Sequence, residues 1–478
     1  MRSPIRAACR GRSAPPHRTR AGTAGRAAAP PPAGSASRSA QPGRAARWHR
    51  VGPQPTNRQQ SGRTRPVSTE TRPVPELAAE VVERWRAEEA ELVDLLARTQ
   101  RGVGGVAAFR LGPAPTVLVT DPAAVQHVLG HHPDRYVKRS HRARMLVGDG
   151  VLSATGDPWK RQRRVLQAQF TGTGMRRYER RIAEAARRTA ERWEGYRRNG
   201  EAFDVGEEMR GFALDTVWRA LTGLPLDDRT DRELRSVERV VAAMPTLPTN
   251  AADARDAVAE DLARIDAVAH AAIDAARSAG PTEEPGVLRV LLDAGEQDPG
   301  YTDRLIRDEL VTLLVAGHET TATTLTWLFL LLDRHPEARR ADPQALVSET
   351  LRLYPSAWLL PRHAVEDDVI AGHRIAAGTD VLVCPYLTHR NPALWPDPER
   401  FDPARFAHGA DRPGQLGAYF PFGLGARACL GTRFALRETT ALLELLLPMG
   451  PLTFRSRPTG AAYSITVRPD GPTPAVLG

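Results

Sequence analysis

The stretch FGLGARACLG at residues 422–431 constrains this chain more than any other, because it surrounds a cysteine with glycines. Cys429 is one of three cysteines in 478 residues, too few for a disulfide framework. The residues that follow predict a helix, whose N-terminal N–H groups would stabilise a thiolate, and Arg427 adds a positive charge nearby. Gly423 and Gly425 permit backbone conformations and close approaches that a side chain would block. A buried structural thiol is the alternative interpretation.

The same stretch resembles the haem-binding signature of the cytochrome P450 family, Phe-x-x-Gly-x-Arg-x-Cys-x-Gly. All fixed positions match, at Phe422, Gly425, Arg427, Cys429 and Gly431. The resemblance implies a haem b cofactor whose iron takes the Cys429 thiolate as its axial ligand. It further implies that Phe422 packs beside the sulfur, that Arg427 binds a haem propionate and that the glycines leave room for the flat haem.

A second motif, AGHETT, lies in the middle of a long helical pattern from Asp303 to Arg334. Ala316 and Thr320 are four residues apart and would share one helix face. Glu319 places a carboxyl beside the Thr320 hydroxyl, and such a pair can relay protons. The resemblance implies that this acid and this threonine are the catalytic residues, and that Ala316 and Gly317 let the helix pass close to the haem. The alternative is structural: the Thr320 hydroxyl would bond the carbonyl of Ala316.

The third motif, ETLR, contains Glu349 and Arg352 and is weak alone, since Glu and Arg three residues apart commonly pair on helices. Its neighbourhood strengthens it, because it follows the central helix and precedes FDPARF at residues 401–406. By the resemblance, Glu349, Arg352 and Arg405 form a buried charge network that supports the haem loop, with Arg400 as an alternative third member. A buried carboxylate requires such partners.

Three further residues are assigned to the haem propionates by the resemblance: Trp159, Arg163 and Arg362. Trp159 and Arg163 are four residues apart and would lie on one helix face. A solvated basic face is the alternative, since Arg161 and Arg164 flank Arg163. The residues expected to line an apolar substrate pocket beside the haem are Leu313, Ala316, Ala357, Trp358 and Leu360.

The pattern along the chain predicts a mainly α protein with small β-sheets. Helical patterns dominate residues 75–478, strand signals are short, and the last of them predict a hairpin over residues 452–467. We therefore expect one α+β domain over residues 75–478, and the resemblance implies the P450 fold, with haem between a long central helix and the cysteine-ligand loop. Residues 1–74 are rich in Arg, Pro and Ala and predict a disordered extension. A start site assigned too far upstream and a targeting segment are the alternatives.

The net charge of +10 does not indicate nucleic-acid binding, because it arises from the N-terminal extension. Residues 1–69 contain fourteen Arg and no acidic residue, and the rest of the chain holds 52 basic against 56 acidic residues. No run of about eighteen apolar residues predicts a membrane span. The chain has 64 Arg and two Lys, a bias typical of high-GC codons and hence of bacteria such as actinobacteria. We expect a soluble, cytoplasmic monomer.

Together the motifs predict a haem-thiolate monooxygenase. Such an enzyme inserts one oxygen atom of O2 into an apolar small molecule, and a terpenoid or other secondary metabolite is the favoured substrate. Only 49 residues follow Cys429, so electrons are expected from NAD(P)H through a separate ferredoxin and its reductase. The alternatives are oxidative coupling, peroxide-driven oxidation, and a haem-thiolate sensor without turnover, in which the Glu319–Thr320 pair would have no use.

Overall fold

The first strand of the described chain, Arg72–Pro73, pairs in parallel with His373 and Arg374. The computed structural model describes residues 71–138, 141–244, 251–280, 284–407 and 416–478. Residues 1–70 of the predicted extension lie outside the described residues. Arg72–Pro73 falls within that predicted extension and yet belongs to a sheet, so the folded part extends further towards the N-terminus than residue 75.

Helices make up most of the described chain, and their starts follow ordinary capping chemistry. The side chains of Asp121, Asp204, Asp227, Thr302 and Asp342 each accept a backbone N–H at a helix start. The α-helices of the described residues are α1 (Ala79–Ala87), α2 (Leu92–Gly102), α3 (Pro122–Gln126), α4 (His141–Val147), α5 (Gly156–Gln167), α6 (Gly172–Asn199), α7 (Val205–Thr222), α8 (Asp228–Ala243), α9 (Ala251–Asp256), α10 (Ala259–Ala279), α11 (Val287–Gln297), α12 (Asp303–Arg334), α13 (Pro343–Leu353), α14 (Pro385–Thr388) and α15 (Thr432–Leu446). A π-helical turn, His127–His131, follows α3. Within the described residues, none of these helices is long and apolar enough to cross a membrane.

The strands of the described residues are short and build four small sheets, which confirms the predicted mainly α architecture. The strands of the described residues are β1 (Arg72–Pro73), β2 (Val106–Phe109), β3 (Thr116–Val119), β4 (Tyr136–Val137), β5 (Phe203–Asp204), β6 (Leu360–Ala364), β7 (Asp368–Ile370), β8 (His373–Ile375), β9 (Asp380–Val383), β10 (Leu452–Phe454), β11 (Ala461–Tyr463), β12 (Val467–Pro469) and β13 (Pro474–Leu477). The largest sheet has the order β2-β3-β9-β6-β4, and the others are β1-β8-β7, β10-β13-β5 and β11-β12.

The C-terminal strands pair differently from the predicted hairpin over residues 452–467. β10 pairs antiparallel with β13, the last strand, and β13 also pairs with β5. β11 and β12 form a separate hairpin, in which Tyr463 faces Val467. Pairing between distant strands depends on tertiary packing, which the local alternation of apolar residues does not encode.

The central helix α12 runs through the core, with α7 as its principal neighbour. It is buried at residues 305–314 and again at residues 321–332. Between these two stretches Ala316 is exposed and Glu319 and Thr320 are half-buried, although His318 is buried. The middle of α12 is therefore accessible, whereas the helix is enclosed on both sides of it.

Gly317 serves the packing of α12 against α7. A Cβ at this position would lie 2.6 Å from Cγ2 of Val217, which is closer than two carbon atoms can approach. The missing side chain therefore lets α7 approach the central helix. The vacant Cβ position of Gly317 faces Val217, so the close approach seen at this glycine is that of α7, and its expected role beside a haem stays a prediction.

Candidate active site

The loop that carries Cys429 has a shape that two glycines make possible. The N–H of Cys429 donates to the carbonyl of Phe422 at 2.8 Å, which closes the loop on itself. Gly423 and Gly425 have φ values of +71° and +69°, a region that residues with side chains rarely adopt. A Cβ on Gly425 would also lie 2.2 Å from a carbonyl oxygen of the π-helical turn. Both glycines are therefore required by the loop itself, whatever it binds.

The Cys429 side chain is exposed although protein surrounds it densely, which is the combination expected of a group that faces an interior space. Burial raises the pKa of its thiol. Hydrogen bonds from the backbone of Gly431 and the hydroxyl of Thr432 lower that pKa, as do the positive charges of Arg163 and Lys138. The sulfur thus has hydrogen-bond donors and cations placed to stabilise its ionised form.

Four cationic side chains gather near Cys429: Lys138, Arg163, Arg362 and Arg427. Burial, and then the charges of Arg362 and Arg427, lower the pKa of Lys138 to about 7. Burial lowers the pKa of Arg362 and of Arg427 to about 10. Among the described residues no carboxylate forms an ion pair with any of the four, and Nη1 of Arg427 is buried without a hydrogen-bond partner. The cluster suits an anionic ligand such as a haem propionate. Lys138 was not found from the sequence.

Two of the predicted propionate residues also fasten the cysteine loop to α5. Nη1 of Arg163 donates to the carbonyl of Ala428 at 2.8 Å, so the half-buried Arg163 is not part of a solvated face. Arg427 stacks on the Trp159 ring, 4.0 Å from its centre, and donates from Nη2 to the carbonyl of Ala154 at 2.8 Å. Trp159 and Arg163 therefore both contact the loop that carries the cysteine.

Ala316, Glu319 and Thr320 are the accessible residues of the AGHETT motif, and we infer that they border the same interior space as Cys429. The Thr320 hydroxyl donates to the carbonyl of Ala316 at 2.8 Å, which is the structural bond considered for it above. Glu319 is held by a residue that the motifs did not reveal, since Thr466 donates from Oγ1 to Glu319 Oε1 at 2.7 Å. His318 is turned away from this face, and its Nδ1 lies 3.0 Å from a carbonyl one turn earlier in α12.

A second residue that sequence reasoning missed is Ser356, in the connection from α13 to β6. Its Oγ donates to the carbonyl of Thr320 at 2.9 Å. Thr466 and Ser356 lie far apart in the chain and in no recognisable motif. The only available signal was residue type, because a hydroxyl is suited to holding a carboxylate or a carbonyl.

The Glu349–Arg352 pair is fully buried and bidentate. Nε and Nη2 of Arg352 donate to the two carboxylate oxygens of Glu349, both at 2.8 Å. Nε of Arg405 lies 3.5 Å from Glu349 Oε1, and the N–H of Asp402 donates to the same oxygen at 2.9 Å. Burial raises the pKa of Glu349, against the opposing effect of Arg352. Arg400 contributes only a backbone carbonyl to Arg352, at 3.0 Å, so Arg405 supplies the third side chain.

This network reaches the cysteine loop through a buried histidine. Nη1 of Arg352 donates to the carbonyl of His389 at 3.0 Å. Burial and the neighbouring arginines lower the pKa of His389 to about 3, so its ring stays neutral and can accept a hydrogen bond. Its Nε2 accepts the N–H of Phe420 at 3.0 Å, two residues before Phe422. The buried charges therefore brace the chain where the loop begins.

The predicted pocket residues divide between the interior space and the core. Ala316 is exposed, and Ala357 and Leu360 are half-buried. Leu313 is 8% exposed and belongs to the main hydrophobic core. The structure thus leaves three of the five beside accessible space and places Leu313 in the core, one turn before Ala316.

Trp358 likewise lies in the hydrophobic core and not beside accessible space. It is 4% exposed, its Nε1 donates to the carbonyl of Ser464 at 2.8 Å, and its ring packs edge-on against Tyr463. Its carbonyl accepts a hydrogen bond from the buried thiol of Cys384 at 3.4 Å. Burial raises the pKa of Cys384 to about 12, which leaves Cys429 as the cysteine suited to metal ligation within the described residues.

Comparison with known proteins identifies the family. The sequence profile of the family described as Cytochrome P450 matches residues 81–341 and 344–449. Cyclooctat-9-en-7-ol 5-monooxygenase of Streptomyces melanosporofaciens is 30% identical over 423 residues, which are 80% of this chain and 89% of that protein. Pentalenene oxygenase of Streptomyces avermitilis is 28% identical over 403 residues, 77% of this chain and 85% of that protein. The crystal structure of CYP175A1 from Thermus thermophilus matches with a TM-score of 0.68 and 29% identity, over 84% of this chain and 99% of that one.

The family profile extends from α1 to just beyond α15 and contains α5, α12, α13 and the cysteine loop, whereas Thr466 lies beyond its end. The two Streptomyces relatives are named as a monooxygenase and an oxygenase, and their source agrees with the expected actinobacterial origin. The resemblance stated from the motifs is confirmed: the chain belongs to the cytochrome P450 family of haem-thiolate monooxygenases.

Proposed function

We propose that this enzyme binds haem b through Cys429 and oxidises a terpenoid, with electrons from NAD(P)H delivered by a ferredoxin and its reductase. The strongest support for haem binding is that both Cys429 and the middle of α12 are accessible. The Thr321 hydroxyl donates to Glu438 at 2.8 Å and so joins α12 to α15, the helix that follows Cys429. The haem would lie between the two accessible regions.

The residues near Cys429 suit a haem, because its propionates are anions and its iron requires a ligand. The four cations around the cysteine would hold the propionates, with Arg427 kept in place by its stack on Trp159. Phe422 would contact the sulfur side of the ring, since its carbonyl is bonded to the Cys429 N–H. A haem bound through a cysteine thiolate supplies the activation of O2.

Glu319 and Thr320 would supply protons on the other side of this space. Thr320 donates its own proton to the carbonyl of Ala316, and its oxygen retains the capacity to accept a hydrogen bond. Glu319 uses Oε1 to accept from Thr466, while no described residue donates to Oε2. We propose that the proton route runs from Glu319 Oε2 to Thr320 Oγ1, the group beside the exposed Ala316.

The proposed substrate is apolar and polycyclic. Ala316, Ala357 and Leu360 leave apolar surface beside the interior space. Two relatives are named for the oxidation of terpenoids, cyclooctat-9-en-7-ol and pentalenene. We propose a cytoplasmic monomer in which a terpenoid alcohol or hydrocarbon receives one oxygen atom. No observation favours oxidative coupling, peroxide-driven oxidation or a sensor without turnover.

The ligand assignment is tested by the carbon monoxide difference spectrum of the reduced protein. The wild-type protein and the Cys384→Ala variant should show the Soret band of a thiolate-ligated haem, and Cys429→Ala should lack it. Cys384 is the matched control because it is a buried thiol bonded to a backbone carbonyl. A folded wild-type haem protein without that band, or its loss in Cys384→Ala, would contradict the assignment.

The substrate class is tested by turnover with a ferredoxin, its reductase, NAD(P)H and isotopically labelled O2. A panel of cyclic terpenes, fatty acids and steroids is offered, and products are identified by mass spectrometry. We expect a single labelled oxygen atom in a terpene product. Labelled products from fatty acids or steroids alone would overturn the substrate class, while leaving the monooxygenase chemistry intact.

A further inference from the structure

Three hydrogen bonds connect Glu319 and Thr320 of α12 to Ser356 and to the Thr466–Val467 segment. Together with the backbone they form a closed ring. Thr466 Oγ1 donates to Glu319 Oε1 at 2.7 Å. The next residue, Val467, donates its N–H to the carbonyl of Ser356 at 3.2 Å. Ser356 in turn donates from Oγ to the carbonyl of Thr320 at 2.9 Å. The catalytic pair proposed above is therefore held from outside its own helix.

The part of the ring that carries Thr466 is itself fixed. Trp327 Nε1 donates to the carbonyl of Val467 at 3.1 Å, and Trp358 Nε1 donates to the carbonyl of Ser464 at 2.8 Å. These bonds hold the turn between β11 and β12 on both sides of Thr466, which is 2% exposed. Because the turn is anchored and the threonine is buried, its hydroxyl is a donor with a defined position.

The part that carries Ser356 fixes the backbone of the same helical turn. Ser356 Oγ lies 3.1 Å from Thr323 Oγ1 and 2.9 Å from Thr324 Oγ1. Both threonine hydroxyls also lie within hydrogen-bond distance of the carbonyl of Thr320, at 3.1 and 2.8 Å. The position of this carbonyl is thus set by its own helix and by the α13–β6 connection together. These bonds do not orient the side chain of Glu319.

The ring makes the two oxygens of Glu319 unequal. Oε1 is committed to Thr466, whereas no described residue donates to Oε2, and the residue is half-buried beside the interior space. A glutamate side chain without such a bond would sample several rotamers. We propose that Thr466 is a positioning residue for the reaction: it holds Oε1 so that Oε2 is presented for proton transfer. The inference rests on the proton-delivery role proposed for Glu319.

Loss of this orientation has a defined chemical consequence. In the productive reaction the substrate, O2, NAD(P)H and one proton give the hydroxylated product, water and NAD(P)+. When protons arrive in the wrong place, the same two electrons and two protons reduce O2 to hydrogen peroxide, and the substrate is released unchanged. The ratio of product formed to NAD(P)H consumed, the coupling ratio, therefore measures the orientation of Glu319.

The first test compares Thr466→Val with Thr466→Ser in the haem-loaded enzyme. Valine keeps the branched shape without the hydroxyl, and serine keeps the hydroxyl. We expect the coupling ratio to fall about threefold to tenfold in Thr466→Val, the effect of one ordinary hydrogen bond, and to recover in Thr466→Ser. Thr459→Val is the control, because Thr459 is an exposed threonine near the same hairpin that donates to Asp470 at 2.9 Å.

The second test asks whether Thr466 acts through Glu319. In a Glu319→Ala background, Thr466→Val should cause no further loss of coupling, because the carboxylate it holds has been removed. An undiminished effect in that background would overturn the inference, and so would a normal coupling ratio in Thr466→Val when Glu319→Ala alone is uncoupled. A coupled Glu319→Ala enzyme would instead overturn the proposed proton route, and this inference with it.

A measurement that does not depend on turnover distinguishes a positioning role of Thr466 from a structural one. The indole N–H signals of Trp327 and Trp358 report the anchoring of the hairpin and are observed by NMR in the reduced, carbon monoxide-bound protein. Both signals should stay in place in Thr466→Val. Displaced signals together with uncoupling that serine does not restore would show a structural role and overturn the inference. If Thr466→Val does not fold, Thr466→Ala removes the same hydroxyl and takes its place.

Discussion

Lys138 differs from the three arginines near it because the charge of a buried lysine depends on its surroundings. Burial and the charges of Arg362 and Arg427 lower the pKa of Lys138 to about 7. An anion bound among these cations would reverse the repulsion and keep the ammonium charged. Lys138 is one of only two lysines in a chain with 64 arginines, a contrast that marks it in the sequence. Its place beside the cysteine depends on the tertiary fold, which brings the end of β4 to the loop.

Replacement of Lys138 should therefore weaken haem binding. In Lys138→Met, which keeps the length of the side chain, we expect the dissociation constant for haem to rise by about tenfold, the effect of losing a hydrogen bond to a charged group. The measurement is an absorbance titration of the haem-free protein with haem. Lys160→Met is the matched control, since Lys160 is exposed and pairs only loosely with Asp157, at 3.4 Å. Equal affinities for the two variants would exclude Lys138 from the propionate site.

At the scale of elements, α12 could be predicted from the sequence almost to the residue, because its signals are local. Thr302 caps its N-terminus, and a long apolar run supplies its buried faces. α15 was expected directly after Cys429 but begins at Thr432, because Gly431 serves as its N-cap and the residues before it close the cysteine loop. The contacts that α12 makes with Thr466, Ser356 and Val217 could not be predicted, since they join segments more than thirty residues apart.

The N-terminal half of α12 is fastened to the segment between α4 and α5 by consecutive charged residues. Asp308 accepts the N–H of Asp149 at 2.9 Å, and Glu309 Oε2 accepts the N–H of Val151 at 2.9 Å. Glu309 is fully buried, and its Oε1 has no hydrogen-bond partner within the described residues. Burial is the main reason that the pKa of Glu309 rises to about 8. At neutral pH this carboxyl is therefore mostly protonated in the folded state.

This elevated pKa predicts a stability that falls as the pH rises. The folded state binds a proton at Glu309 that the unfolded chain releases near pH 4.5, so the contribution is complete below that pH and declines up to about pH 8. The slope is about 1.4 kcal/mol of unfolding free energy per pH unit. Glu309→Gln keeps the acceptor for Val151 but cannot ionise, and its thermal unfolding midpoint should lose this part of the pH dependence between pH 5 and 8. The exposed Glu337→Gln is the control, and parallel pH profiles for wild type and Glu309→Gln would contradict the assignment.

For the whole molecule, local motifs identified the chemistry, whereas long-range pairing set its geometry. Glu349 and Arg352 stand three residues apart and could be found as a pair, but their path through His389 to the cysteine loop crosses from α13 to residues 389 and 420. The same holds for the sheets. β1 pairs with β8, which lies some three hundred residues later in the chain. Local sequence patterns do not reveal such pairing, and for this reason Arg72–Pro73 was predicted to lie in a disordered extension.

The N-terminal boundary of the fold therefore leads to a prediction about truncation. A chain that starts at residue 70 should keep the unfolding midpoint of the full-length protein, because the expected disordered extension contributes no core. A chain that starts at residue 76 loses the Arg72 N–H bond to Gly372 and leaves the buried N–H of Ala108 without its acceptor, the carbonyl of Pro75. An unsatisfied buried donor costs about 1–3 kcal/mol, so this midpoint should fall by several degrees.

The measurement is thermal unfolding of the three haem-loaded proteins, with the carbon monoxide spectrum as a check that each contains the haem site. The chain that starts at residue 70 controls for the loss of fourteen arginines, since it removes all of them and leaves β1 intact. A large drop in its midpoint would mean that the extension stabilises the folded enzyme. Equal midpoints for the two truncated chains would mean that β1 adds nothing, and the domain boundary would then return to residue 75. The expected order, with only the shorter chain destabilised, places the start of the folded enzyme at the strand that pairs with β8.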